Sequence, residues 1–232
     1  HLKLAIEDET VVEAVPALGY VHRGLEGLAP KRDFNQMIYI VERVCGICSC
    51  IHAMCYCHAI ERMMELEVPR RAQYLRISWS DLHRIHSHLL WLGLFADAFC
   101  FESLFMAFWK ARERVMDINE STTGNRVIVS TNIIGGVRRD MDDKQLRGIL
   151  EDLDILEKEL KPLFTTMMED PTVRARTIGV GVLSAEQALQ LGAAGPTLRG
   201  SGVAQDMRQL QYEAFADLDF SPIVVSAGDC YA

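Results

Sequence analysis

The sequence lacks the features of a membrane-spanning or nucleic-acid-binding chain. No apolar run reaches the roughly 18–20 residues that a transmembrane helix needs. The longest one, residues 89–101, is interrupted by Asp97 and predicts a buried helix. The 24 Lys and Arg are outnumbered by 32 Asp and Glu, for a net charge of -8. We therefore expect no nucleic-acid partner, and a peripheral position if the protein works at a membrane.

The seven cysteines do not have the spacing of a disulfide framework, because five of them lie between Cys45 and Cys57. A chain of 232 residues that is 49% hydrophobic can bury a core without disulfides. Such clustering favours a reducing compartment and metal or redox chemistry.

The ends of the sequence predict a piece of a longer protein. It begins at His1 without an initiator Met, already inside an alternating pattern, and it stops just after the strand-like residues 223–225. We therefore expect further sequence at both ends.

Two short strands and several helices are predicted. Alternating apolar residues predict a β-hairpin from Leu2–Glu7 and Thr10–Val15, and residues 19–30 predict a loop that can enter a helix. Helices are predicted over residues 33–41, 47–66, 69–99, 103–120, 142–168 and 184–191. Residues 126–134 are predicted to be extended, Pro171 to close the fifth helix, and the chain to be loop-rich after Thr177. The predicted fold is α+β and mainly α, a central helical bundle with a small N-terminal antiparallel β element, in a single domain over residues 1–232.

The most informative motif runs from Arg43 to His52 and contains Cys45-Gly46-Ile47-Cys48. Two thiolates at this spacing can share one metal where a loop enters a helix, since Gly46 permits a tight turn and the helix N-terminus stabilises thiolate. Thiolates suit soft metals, and His52 lies one turn beyond Cys48 on the same face. Two thiolates are half a site, so a structural zinc knuckle and buried thiols remain alternatives. Cys57 is the best placed of the other cysteines to lie in the core.

The spacing Arg-x-Cys-Gly-x-Cys-x-x-x-His resembles the first metal motif of nickel–iron hydrogenase large subunits. The resemblance implies a nickel–iron centre in which Cys45 is a terminal nickel ligand and Cys48 bridges nickel and iron. It places His52 beside the bridging thiolate, so the implied catalytic residues are Cys45, Cys48 and His52.

Four further segments resemble the energy-converting hydrogenases and the 49 kDa-type quinone-site subunit of complex I. They are residues 18–26, 68–74, 135–140 and 228–231. The resemblance implies cofactor contacts at His22, Arg23 and Tyr56, with His22 and Tyr56 at a quinone headgroup. It also implies that Arg138 and Arg139 lie near an iron–sulfur cluster of a partner subunit. The complex I subunit lacks the cysteine pair, so the pair favours hydrogen chemistry.

Two departures from the hydrogenase pattern limit what the chain can do alone. It has no Asp-Pro-Cys-x-x-Cys motif, and after Cys57 only Cys100 and Cys230 remain. It also has no Gly-Pro-x-His-Pro stretch before the first strand. We therefore expect the nickel–iron centre in the full-length protein, and an inactive, metal-free piece here.

Three functional hypotheses follow. The first is the large subunit of an energy-converting nickel–iron hydrogenase at the cytoplasmic face of the cell membrane, with an iron–sulfur small subunit and integral membrane ion-translocating subunits as partners. The second is a complex I-like subunit that reduces quinone or a sulfur compound and keeps the cysteine pair as a relic. The third is a non-catalytic, zinc-binding interaction module.

Three other polar or glycine-rich segments are not predicted to be catalytic. His83 and His86 share a helix face at a spacing that metals use, but polar packing is the commoner explanation. Arg84 and His88 match the shared family pattern, which suggests a subunit contact. The Gly-rich residues 197–202 lack the lysine of a phosphate loop, and we expect no nucleotide there.

Overall fold

Helices dominate the computed structural model, which describes residues 1–232. The elements in chain order are β1 (Leu2–Glu7), β2 (Thr10–Pro16), α1 (Leu25–Leu28), α2 (Phe34–Glu42), α3 (Ser49–Met64), α4 (Arg70–Ala98), α5 (Glu102–Thr123), β3 (Asn132–Ile133), β4 (Gly136–Val137), α6 (Asp143–Glu169), α7 (Pro171–Thr177), α8 (Ala185–Gln190) and α9 (Pro196–Gly200). Single 3₁₀ turns follow α1 and lie at Met207–Leu210 and Phe215–Asp217. The predicted fold class, mainly helical with a small N-terminal antiparallel sheet, is confirmed.

The core is built on the antiparallel pair α4 and α5. Large apolar side chains that are fully buried lie on their shared face, including Trp79, Leu89, Phe108 and Val115. Gly93 lets the two helices approach closely, because a β-carbon at this position would clash with the Trp109 ring. The aromatic side chains of Phe95, Phe99, Phe101 and Phe105 pack against this core.

Helix α6 covers α5 with an apolar stripe. Leu146, Ile149, Leu153 and Leu160 are partly buried against the core. A capping box fixes the start of the helix, since the Asp142 side chain accepts from the Gln145 N–H and the Gln145 side chain accepts from the Asp142 N–H.

One local prediction was wrong. Residues 126–134 were expected to be extended, but only Asn132–Ile133 pairs, with Gly136–Val137. The Asn125 side chain instead accepts from the N–H groups of Val127 and Ile128, which holds this stretch in a turn. Helix α6 ends just before Pro171, as predicted. Pro171 also begins α7, whose first N–H groups are capped by Asp170.

A buried arginine joins four parts of the chain. Arg76 on α4 is 0% exposed. Its guanidinium donates to both carboxylate oxygens of Glu61 on α3, at 2.6 and 3.0 Å, and to Glu213 at 2.7 Å. It also donates to the carbonyls of Ile133 and Gly136, while Glu61 accepts from the N–H of Gly135 at 2.7 Å. Burial opposes the charged form, but the two carboxylates outweigh it and raise the pKa of Arg76.

None of the helices combines the length and the apolar composition required to cross a bilayer.

Removal of the buried guanidinium is expected to destabilise the protein strongly. In the Arg76→Ala variant Glu61 and Glu213 become buried carboxylates without their main partner, which costs about 3–5 kcal/mol of unfolding free energy. Urea denaturation followed by circular dichroism measures this loss. The exposed Arg62→Ala variant on the same helix as Glu61 is the matched control, with a change within about 0.5 kcal/mol. Equal effects of the two substitutions would contradict the role given to Arg76.

Candidate metal and cofactor site

Cys45 and Cys48 lie in the turn between α2 and α3. Helix α2 ends at Glu42, and Cys48 precedes Ser49, the first residue of α3. The Cys45 sulfur accepts from the Ile47 N–H at 3.4 Å, while the Cys48 carbonyl accepts from the N–H of His52 at 3.2 Å. The turn therefore presents both thiols at the N-terminus of α3, as the spacing predicted.

The two neighbouring thiols ionise unequally. Burial acts against ionisation of Cys45, but the Cys48 thiol and two backbone N–H groups together lower the pKa of Cys45 below that of an ordinary thiol. Burial, the hydrogen bond to Cys45 and the charge of Cys45 raise the pKa of Cys48 to about 11. Cys45 is thus the first thiolate of the pair.

His52 lies beside the second thiol. The distance from Cys48 Sγ to His52 Nε2 is 3.2 Å, within hydrogen-bonding range, because the two residues are one helical turn apart. The structure therefore brings together all three residues that the resemblance made catalytic.

The other cysteines do not complete a metal site. Cys50 and Cys57 are 1% and 0% exposed, and burial raises the pKa of each to about 12. Cys57 packs with Ile38 and Ala53, as predicted for a core residue, while Cys55 is exposed. No three His, Cys, Asp or Glu side chains are arranged to hold a metal ion together. The donor set thus fits two soft-ligand positions of a thiolate-bound metal, not a closed four-ligand site.

The loop with His22 and Arg23 covers the start of this turn. The Arg23 guanidinium donates to the carbonyls of Arg43 and Val44, the two residues before Cys45. His22 Nε2 lies 3.1 Å from a carboxylate oxygen of Glu26. An open cleft of about 690 Å³ runs between this loop and α2, with a mainly apolar lining that includes both His22 and Arg23. A flat apolar group with polar ends could occupy such a cleft.

Tyr56 does not line that cleft. It packs beside Ile38, Ala53 and Cys57, and its hydroxyl donates to the Phe34 carbonyl at 3.2 Å. Tyr56 and His22 therefore do not share the lining of this cleft.

Arg138 and Arg139 point to different places. Arg138 Nε donates to the Ser130 carbonyl at 3.0 Å, and its guanidinium lies 5.1 Å from the centroid of the Tyr39 ring on α2. Arg139 is exposed and extends toward Gly124 at the end of α5. Only Arg138 borders the helix that leads into the cysteine turn.

Sequence reasoning missed Glu42, which lies immediately before Arg43. It is 1% exposed; its Oε2 accepts from the Ser130 hydroxyl at 2.6 Å, and its Oε1 has no hydrogen-bond partner. Burial raises the pKa of Glu42, against the opposing effects of Ser130, Arg43 and Arg138. An acidic residue at the last position of a helix is ordinarily solvated, so its burial could be learned only from the packing of residues 130–132.

His83 and His86 are packing residues, as expected. His83 Nε2 lies 2.9 Å from the Val127 carbonyl, and His86 Nε2 lies 3.2 Å from the Arg112 guanidinium. Burial lowers the pKa of both, that of His86 to about 3, so both rings are neutral.

Two family models match the chain. The model for the 49 kDa subunit of respiratory-chain NADH dehydrogenase matches residues 100–232. The model for nickel-dependent hydrogenase matches residues 23–95, which contain the cysteine pair and His52.

Curated relatives include hydrogenases and a dehydrogenase. The membrane-bound hydrogenase subunit alpha of Pyrococcus furiosus is 40% identical over 95% of this chain and 52% of its own length. A subunit of the F(420)H(2) dehydrogenase of Methanosarcina mazei is 37% identical over 100% of this chain and 62% of its own length. The carbon monoxide-induced hydrogenase of Rhodospirillum rubrum is 38% identical over 100% of this chain and 65% of its own length. The chain thus spans between half and two thirds of the length of these relatives.

Cobalt binding provides a direct measure of the two-thiolate site. Anaerobic titration of the reduced protein with Co²⁺ should give a thiolate-to-metal absorption band from Cys45 and Cys48. The Cys45→Ser and Cys48→Ser variants should each weaken binding by at least about tenfold, or 1.4 kcal/mol. Cys55→Ser, which removes an exposed thiol from the same helix, should leave the titration unchanged. A band that survives both substitutions would contradict the assignment.

The raised pKa of Glu42 predicts a specific pH dependence of stability. Because folding favours the protonated carboxyl, its contribution is complete below the unfolded-state pKa of about 4.3 and is lost as the pH rises through the folded value. The unfolding free energy of the wild type should therefore fall relative to that of Glu42→Gln as the pH rises. Denaturation midpoints measured at a series of pH values upward from about 4.3 give the stability difference between wild type and Glu42→Gln. The exposed Glu67→Gln variant is the control. A difference that does not vary with pH would rule out this account.

Proposed function

The chain belongs to the family of the 49 kDa subunit of respiratory-chain NADH dehydrogenase, a family of oxidoreductase subunits, and from this premise we propose that it is the thiolate-bearing part of an energy-converting nickel–iron hydrogenase large subunit. The proposed reaction is the reversible conversion of dihydrogen to protons and electrons. The single observation that carries the proposal is the adjacency of Cys45, Cys48 and His52 at the start of α3.

The chemistry of the pair supports hydrogenase over the other family activities. Two thiols with different pKa values, one lowered and one raised, are suited to binding a soft metal and to holding a proton. The match of residues 23–95 to nickel-dependent hydrogenases covers this pair, and two of the relatives named above are hydrogenases. A nickel–iron centre, when bound, would supply the hydrogen chemistry.

The residues of the chain would then have distinct tasks. Cys45 and Cys48 would hold the metal from one side, and the N–H of Ile47 would stabilise the Cys45 sulfur. His52 Nε2 would accept or return the proton of the Cys48 sulfur, at 3.2 Å. Arg23 would keep the turn rigid through its bonds to the carbonyls that precede Cys45.

Partners and location belong to the same proposal. An iron–sulfur small subunit would dock beside Arg138 and α2, the helix that leads into the cysteine turn, so that electrons leave by a short path. Integral membrane subunits would place the complex at the cytoplasmic face of the cell membrane. The names of the relatives, which include a membrane-bound hydrogenase, support this arrangement.

The test uses the full-length subunit in its complex and two readouts. Exchange of D₂ with solvent protons should be lost in the Cys45→Ala and Cys48→Ala variants, and the nickel content should fall below about one tenth of the wild-type value. Cys55→Ala should change neither. Wild-type protein without nickel, or with stoichiometric zinc and no exchange, would refute the proposal in favour of the zinc-binding module.

A complex I-like reductase is the second candidate. The match to the NADH dehydrogenase family over residues 100–232 and the likeness to an F(420)H(2) dehydrogenase favour it. In that case the cleft beside α2 would take the electron acceptor, and His22→Ala would impair reduction of a quinone analogue while Cys45→Ala would not. If instead Cys45→Ala abolishes D₂ exchange and the wild type does not reduce the quinone analogue, the hydrogenase is supported.

A further inference from the structure

The N-terminal hairpin has two different faces. The register places Leu2, Leu4 and Ile6 opposite Pro16, Ala14 and Val11 on one face. The other face carries Lys3, Glu7, Thr10 and Glu13 together with Ala5 and Val15. The register shifts between Ala5 and Ile6, which leaves Val12 unpaired and keeps Val11 opposite Ile6, so all of the paired residues on the first face are apolar.

Nothing in the chain covers the apolar face. Every residue of β1 and β2 is exposed, with Leu2, Ile6 and Val11 at 62%, 59% and 51%. The only extensive packing of the hairpin is between its own two strands. A two-stranded sheet of this kind is marginally stable in water, and both of its outer edges have unpaired N–H and C=O groups.

The apolar surface continues toward the candidate site. Leu18, Tyr20 and Val21 follow the hairpin and are highly exposed, and the His1 ring lies edge-on to Tyr20 with 4.2 Å between centroids. Tyr20 and Val21 also line a depression of about 440 Å³ that reaches Gly46 of the cysteine turn.

The charge of the hairpin selects its occupant. Lys3 is outnumbered by four carboxylates, those of Glu7, Asp8, Glu9 and Glu13. A second copy would bring like charges together, and an anionic lipid surface would be repelled. A strand with basic flanks would meet the opposite charge and would pair with a free backbone edge.

We propose that the hairpin of residues 2–16 is a docking site for a partner protein, which adds an extended apolar segment flanked by Lys or Arg to the sheet. The backbone edge supplies hydrogen bonds, the apolar face supplies buried area, and the carboxylates near the turn supply selectivity. This proposal does not depend on which metal or acceptor the protein uses.

A peptide pair tests the proposal on the purified chain. The probe is a fluorescent nine-residue peptide of alternating Val and Thr with two Lys at each end, and its counterpart has Glu at each end. Fluorescence anisotropy should show the Lys-flanked peptide binding at least about tenfold more tightly, with the difference reduced at high salt. Hydrogen exchange should slow in residues 2–16 when it binds. Equal binding of the two peptides, or no binding of the Lys-flanked one at millimolar concentration, overturns the proposal.

Two substitutions that add the same charge distinguish the two faces of the hairpin. Leu4→Lys places a charge on the apolar face and should weaken binding at least about tenfold further than Val15→Lys, which adds the same charge to the other face. Circular dichroism establishes that both variants fold. Sedimentation velocity supplies the second criterion: a dimer that Leu4→Lys converts to monomer would show that a second copy covers this face, and would overturn the proposal.

Discussion

The guanidinium of Arg76 is buried completely and is matched by two carboxylates, Glu61 and Glu213, that come from widely separated parts of the sequence. A buried charge that loses one partner is far more costly than an exposed one, so the three side chains fix one another. His58 contacts Glu213 from α3, and Arg70 and Tyr74 hold Asp217 on the same segment. The segment after α9 is thereby attached to α3 and α4 through charge, with Phe215 as its apolar anchor.

The same network determines where residues 130–138 run. Glu61 binds the Gly135 N–H and Arg76 binds the carbonyls on either side, so the turn between β3 and β4 has no freedom to move away from α3 and α4. Ser130 and Arg138 are in turn held against the end of α2, where Ser130 meets Glu42. A charge cluster far from the thiols in sequence therefore shapes one wall of the cysteine turn.

Features governed by local periodicity could be predicted from the sequence. The long helices and the Asp142 cap depend on neighbours within four residues, the strands of the hairpin show a two-residue alternation, and the adjacency of Cys48 and His52 follows from one helical turn. The burial of Glu42 and the absence of Tyr56 from the cleft that His22 lines depend on how distant segments pack, which no local pattern encodes. The extended prediction for residues 126–134 was wrong because an Asn125 side chain competes with strand pairing for the same N–H groups.

The electrostatics of the cysteine turn also explain why His52 matters. The pKa of Cys45 is lowered, whereas burial and the charge on the neighbouring Cys45 raise the pKa of Cys48 to about 11. Arg23 donates to the carbonyls of Arg43 and Val44, and Arg43 donates to the Tyr39 carbonyl and the Glu42 carboxylate on α2, so neither guanidinium bonds to a sulfur. Full use of both sulfurs as soft ligands therefore requires the Cys48 proton to leave, and His52 Nε2 lies 3.2 Å from that sulfur. The histidine is placed to receive this proton, which gives its spacing in the motif a chemical reason.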